Sequence, residues 1–151
     1  MSKRIMKTET KNRFLNSVTL PNYDFILTAP EFNKDGEEFT IWFFEGILER
    51  NPNHVDCLLY LGNTYTAQGM YEKGLLVDQK LCRLRPDDPM VHYNLACSYA
   101  LLKNVNTAFE ALEKAIMLGY KDICHLENDK DLAHLREDAR YQKLVEKIKF
   151  S

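Results

Sequence analysis

Residues 55–88, VDCLLYLGNTYTAQGMYEKGLLVDQKLCRLRPDD, run directly into residues 89–122, PMVHYNLACSYALLKNVNTAFEALEKAIMLGYKD. With Val55 laid on Pro89, Leu61-Gly62 falls on Leu95-Ala96, Tyr65 on Tyr99, Gly74 on Ala108 and Leu81 on Ala115. A 34-residue self-similarity is the period of a helix–turn–helix unit that stacks on its own copies. Each unit buries its apolar stripe against the next one, so the fold expected is all-α, a right-handed α-solenoid. Stacked repeats of this kind build a surface and not a reaction centre.

Working outward, Val55 to Ala67 reads as a helix with Leu58, Leu61, Gly62 and Tyr65 on one face. Gln68-Gly69 turns the chain and Tyr71 to Leu84 returns antiparallel, stopped at Arg85-Pro86. Asp87-Asp88-Pro89 then opens the next helix, with acids at its positive end and proline at an early helical position. Pro89 to Leu102 and Asn106 to Leu118 form the second pair, with Gly119 as its C-cap. Upstream, Phe39, Trp42, Phe43, Gly46 and Ile47 recur at helical spacing from Gly36, and Asn51-Pro52-Asn53 ends that helix. Downstream, Asp122 to Asn128 reads as a short helix and Asp129-Lys130-Asp131 restarts the chain. Asp138 to Lys149 follows as an amphipathic helix carrying Tyr141, Leu144, Val145 and Ile148. An open repeat end exposes a stripe of core, so these last elements are expected to cap the array.

The organisation expected is therefore a basic tail over 1–13 and an irregular apolar arm over 14–35. A repeat domain over 36–150 follows, divided into a half-repeat (36–54), repeats at 55–88 and 89–122, and capping helices at 123–150. The tail carries Lys3, Arg4, Lys7, Lys11 and Arg13 against Glu9 and reads as mobile. The arm is too apolar for a disordered linker, and Pro21 and Pro30 forbid one continuous helix across it.

Composition narrows the function. A net charge of −2 gives no clustered basic excess for nucleic acid. No window approaches the roughly 18 consecutive apolar residues of a membrane span. The basic start lacks the apolar stretch of a secretory signal. Cys57, Cys82, Cys97 and Cys124 form no C-x-x-C pair, and with no signal a reducing, cytoplasmic setting is expected. They read as small buried hydrophobes, not as metal ligands.

Residue by residue, the repeats resemble the tetratricopeptide repeat family. Leu58, Leu61-Gly62, Tyr65, Gly74, Asp78 and Pro86 stand at that pattern's offsets in the first repeat. His92, Leu95-Ala96, Tyr99, Ala108, Leu112 and Tyr120 follow in the second, and Thr40, Phe44 and Pro52 in the half-repeat. The tail from Leu126 to Leu144 looks similar to the closing segments of bacterial members. Small Gly62 and Ala96 against Gly74 and Ala108 let paired helices approach closely. Two departures stand out. Asp78 replaces an aromatic, and burying a carboxylate alone costs several kcal/mol by order of magnitude, so a partner or a local opening is expected there. Tyr120 replaces the last proline, as suits a final repeat.

The resemblance implies that the first helix of each pair lines a concave groove. Its positions here are Asp56, Leu59, Asn63, Thr66 and Ala67, then Met90, Tyr93, Cys97, Ala100 and Leu101. Such a groove suits an extended peptide or an amphipathic helix, with Asn63 and Tyr93 offering hydrogen bonds and Tyr93 and Met90 as anchors. A competing occupant is the chain's own apolar arm. One subtype of the family grips the carboxylate terminus of heat-shock chaperones. Leu59 stands where that subtype needs lysine, and a carboxylate would lose its charge-assisted bonds.

Signs of catalysis are thin. Cys124 and His125 are adjacent and point apart on a helix, and His125 and His134 are wrongly spaced for one helical face. Counted as a calcium loop from Asp129, the required glycine falls on His134 and the required glutamate on Arg140. Glu37-Glu38 and Glu45-Glu49 read as a solvated face, and no phosphate-binding glycine loop is present. The expected function is a non-catalytic protein–protein interaction module that needs no cofactor. It takes a protein or peptide in the groove, with no nucleic acid and no membrane. Two alternatives share the architecture. One is a small chaperone of a secretion system. The other is a homo-oligomeric structural protein in which Phe39, Trp42 and Phe43 stack on a second copy.

Overall fold

The computed structural model describes residues 36–149, which lie in the second of two compact units, 34–151. The expected tail and arm fall outside the described residues. Seven α-helices and one 3-10 helix make up the described chain, with no strand among the described residues: α1 (Gly36–Arg50), α2 (Val55–Ala67), α3 (Tyr71–Leu84), α4 (Pro89–Leu101), α5 (Val105–Met117), α6 (Ile123–Asn128), η1 (Lys130–Glu137) and α7 (Ala139–Lys149). Each helix packs on its successor from α1 through α5, the arrangement of a helical solenoid. The segment after α5 then closes the array, with η1 on α4 and α7 on α5 and η1.

Side chains and turns set these boundaries. Asp88 accepts from the Met90 amide at 2.9 Å, with Pro89 opening α4. The His54 ring nitrogen Nδ1 accepts from the Cys57 amide at 3.3 Å and starts α2. Asp122 accepts from the His125 amide at 2.8 Å, so it is the cap of α6 and not its first residue. The turn within each repeat is built alike. Gly69 (φ +72°) and Lys103 (φ 61°), at matching positions of the two repeats, both take left-handed backbone, which glycine enters freely and lysine only at a cost.

Packing follows the small residues. Gly62 and Gly74 are buried between α2 and α3, and the carbonyl of Gly62 lies 3.7 Å from where a Cβ on Gly74 would sit. Ala96 and Ala108 take those places in the second repeat, both fully buried. The second repeat and the closing segment share one large core around Leu112, Leu126, Leu132 and Leu135. The first repeat rests on smaller clusters around Phe44, Leu61 and Tyr65 and around Leu58, Leu81 and Val91.

One hydrogen bond recurs between successive repeats. Tyr65 donates its hydroxyl to Glu45 Oε1 at 2.5 Å, and Gln79 donates to the Tyr99 hydroxyl at 3.0 Å. Both partners move to the matching position of the next repeat. Glu45 is thus more than part of a solvated face, and Lys73 also approaches it at 4.0 Å. The partner expected for Asp78 is Ser98 across the same seam. Its hydroxyl donates to Oδ2 at 2.5 Å, and Asp78 is 6% exposed. Burial pushes this carboxyl up to about 6, while the bond from Ser98 pulls the other way.

Candidate functional site

The positions expected to line the groove divide into two sets. On α2, Asn63 is exposed, and Leu59 and Thr66 are half-buried. Met90, at the start of α4, is 46% exposed. Farther along α4, Tyr93 is 1% exposed, Cys97 is 9% exposed and Ala100 is fully buried, while Leu101 is half-buried. The structure therefore corrects the reading of Tyr93 as a ligand anchor. The chain's own closing segment covers it, and its hydroxyl is already donated, to Asp129 Oδ2 at 2.7 Å.

That cover is organised on Asp129, which joins α6 to η1. Its Oδ1 accepts from the Asp131 amide at 3.0 Å and starts η1. Its Oδ2 takes Tyr93 and lies 3.6 Å from Cys97 Sγ and 3.7 Å from His125 Nε2. Tyr120 stacks on Tyr93 with ring centres 4.4 Å apart and meets His125 Nδ1 with its hydroxyl at 2.9 Å. Arg136 donates to the Asp129 carbonyl, and Tyr141 donates to the Leu126 carbonyl at 2.9 Å. Sequence reading missed Asp129, Tyr120, His125 and Arg136 as partners of the wall. Tyr120 stands at a repeat offset, but the period breaks beyond it, and Asp129, His125 and Arg136 have no repeat position to be read from.

Acid–base character follows burial. Desolvation, then the neighbouring thiol of Cys97 and the bond to Asp129, push the Tyr93 phenol well up. Burial, then the carboxylates of Asp129 and Asp131, push the Cys97 thiol well above the ordinary range. With no cation beside it, burial therefore favours the neutral Cys97 thiol at neutral pH. Cys82 meets His92 Nδ1 at 3.8 Å, but burial and then Asp78 push its thiol up to about 11, which favours the neutral thiol here too. Cys57 is buried and Cys124 exposed, and all four cysteines are free. Cys97, Asp129 and Asp131 bring their donor atoms within 4.8 Å of one another. No helix among the described residues is long and apolar enough to cross a membrane.

Comparison with known proteins agrees with this architecture. The tetratricopeptide repeat profile matches residues 43–75, from the latter part of α1 through α2 into α3. The peroxisomal targeting signal receptor of Pichia angusta is 30% identical over 115 residues, which covers 76% of this chain and 20% of that protein. A chloroplastic protein of Arabidopsis thaliana is 29% identical over 90 residues, covering 58% of this chain and 27% of that protein. The chain thus spans 27% or less of the length of these curated relatives. Among solved structures, MamA superposes with a TM-score of 0.60 at 23% identity, covering 82% of this chain and 74% of that one. A MamA RS-1 ArsTM double mutant gives 0.62 at 19%, covering 76% and 65%. At such identities the likeness to MamA is one of fold.

Proposed function

The chain belongs to the tetratricopeptide repeat family, and from that premise we propose that it is a non-catalytic module binding a peptide or protein segment. The wall of α2 and the start of α4 receive the ligand, through Leu59, Asn63, Thr66 and Met90. The observation that carries this reading is the division of the wall. Asn63 and Met90 remain exposed where Tyr93 and Cys97 are covered by the chain's own closing segment. Asn63 offers both amide donors and an acceptor, which can pair with the main chain of an extended segment. Leu59 and Met90 supply apolar contact beside it. One of the relatives is by name a receptor for a targeting signal, which agrees with peptide recognition. Burial favours the neutral thiols of Cys82 and Cys97, which agrees with binding and not chemistry. We place the protein in the cytoplasm on its four free cysteines.

Selection of a random peptide display library on the full-length chain tests the proposal, with affinities measured by fluorescence anisotropy. Selected peptides are expected to lose at least tenfold in affinity with Asn63→Ala and with Met90→Glu. Glu113→Gln, on the exposed side of α5, should leave them unchanged. Peptides indifferent to both wall substitutions would remove the site from α2 and α4.

A further inference from the structure

We propose that Cys97, Asp129 and Asp131 form a site for a zinc-type divalent metal ion that staples the closing segment to the second repeat, with His125 beside them turning in as the fourth donor when the ion binds. The donors come from three parts of the fold: Cys97 from α4, His125 from α6, and the two aspartates from the start of η1. Cys97 Sγ and one carboxylate oxygen of each aspartate lie within 4.8 Å of one another. His125 Nε2 is 3.7 Å from Asp129 Oδ2, and Cys97 Sγ is 3.6 Å from the same oxygen. Tetrahedral zinc, with bonds of about 2.3 Å to sulfur and about 2.0 Å to oxygen or nitrogen, sets neighbouring donors roughly 3.3–3.5 Å apart. The two edges that meet at Asp129 Oδ2 are within a few tenths of an ångström of that figure, while His125 lies outside the group of three whose donor atoms all fall within 4.8 Å of one another.

The surroundings point the same way. The Tyr120 hydroxyl at 2.9 Å from Nδ1 fixes the His125 ring with Nε2 towards Asp129, as an outer partner does for a metal-bound imidazole. Tyr93 does the same for Asp129. The half-buried carboxylate of Asp131 has no hydrogen bond or ion pair among the described residues, although it converges on another carboxylate and a thiol. Arg136 donates to the Asp129 main-chain carbonyl and to neither carboxylate. A cation supplies the missing positive charge. Thiolate with imidazole and carboxylate selects zinc-type ions over calcium or magnesium, which take oxygen donors. The His125 side chain is 49% exposed, which leaves an entry path from solvent.

Cobalt(II) titration of the metal-free full chain tests the site, because a tetrahedral cobalt thiolate shows a ligand-to-metal charge-transfer band and strong visible bands. One equivalent is expected to develop both, and zinc should bleach them. Cys97→Ser should abolish the charge-transfer band, and Asp131→Asn should weaken affinity at least tenfold. Cys124→Ser, at the exposed neighbouring thiol, should change neither. Asp131→Asn removes no bond among the described residues, so it decides the matter should Cys97→Ser fail to fold. Absence of the band in the unsubstituted chain, its survival in Cys97→Ser, unchanged affinity in Asp131→Asn, or its loss in Cys124→Ser would each overturn the assignment.

Discussion

Asn63 and Cys97 stand at the same place in successive repeats, yet the first is exposed and the second is 9% exposed. Leu59 and Tyr93 differ in the same sense, and so do Thr66 and Ala100. The backbone plan of the two repeats is shared, down to the left-handed turn at Gly69 and Lys103. What differs is the next element along the chain. Beyond α4 and α5 come α6 and then η1, whose Leu132 and Leu135 are fully buried and whose preceding Asp129 reaches Tyr93. A repeat's motif fixes which residues share a helix face, and its neighbour decides whether that face is available.

Removing the cover's grip should have the largest effect. Leu132 is fully buried in the core shared by α4, α5 and the closing segment. Leu132→Ala is expected to lower stability by about 2–5 kcal/mol, the range for opening a cavity in a packed core. Urea unfolding measures the loss, and amide exchange should show the added opening in α4 ahead of α2. Equal opening in both helices would mean that the two walls are not held differently.

The seam between the repeats ranks next. Asp78, with its carboxyl raised to about 6 when folded and an ordinary value of 3.8, binds its proton more tightly in the native state. The sign follows. No penalty exists below about pH 4, it grows as pH rises, and it is complete above the folded pKa. The difference corresponds to roughly 3 kcal/mol of destabilisation at neutral pH. Asp78→Asn, which retains an acceptor for Ser98, is expected to gain stability at pH 7.5 and to lose that advantage on acidification towards pH 4. A gain independent of pH would mean that the carboxylate is not the burden.

The recurring inter-repeat bond should separate the seams by a smaller margin. Tyr65 donates to a carboxylate and Tyr99 accepts from a neutral amide. Bonds to charged groups contribute about 1.5–3 kcal/mol and neutral ones about 0.5–1.5 kcal/mol. Glu45 is exposed, which draws the first figure towards its lower end. Tyr65→Phe is thus expected to cost more than Tyr99→Phe, and added salt should narrow the gap. Thermal unfolding of the pair at low and high salt checks the order.

The repeats were legible because their period rests on residues that pack, such as Leu61, Tyr65, Ala96 and Leu112. The odd residue at Asp78 was legible too, as a carboxylate in a place that packing demands. The cover over Tyr93 was not. Asp129 and Tyr93 are joined by tertiary folding through a 3-10 segment that has no helical repeat to count from. The same holds for Cys97, which as a wall position gave no hint that two aspartates and a histidine would gather beside it. Periodicity reads contacts between copies of a unit, and these contacts are between a copy and something that is not one.

The smallest effect asks whether the two repeats are interchangeable in detail. A methyl on Gly74 would sit 2.9 Å from Thr66 Oγ1, too close for both to stay in place. The second repeat carries alanine at both matching positions, Ala100 and Ala108, and buries them fully. Glycine inside a helix costs about 0.5–1 kcal/mol relative to alanine, so Gly74→Ala alone sets that gain against a forced shift of a stiff, β-branched neighbour. A net loss below about 1 kcal/mol is expected, well short of a typical core substitution. Thr66→Ala in the same chain removes the clash and should turn the loss into a gain of roughly 0.5–1 kcal/mol, the helix-propensity difference then acting unopposed. The double variant rebuilds in the first repeat the pair that the second already has. A coupling between the two changes, measured by a double-mutant cycle in urea, would show that Gly74 and Thr66 are matched to each other. Strict additivity would mean that the backbones of α2 and α3 absorb the methyl by moving apart.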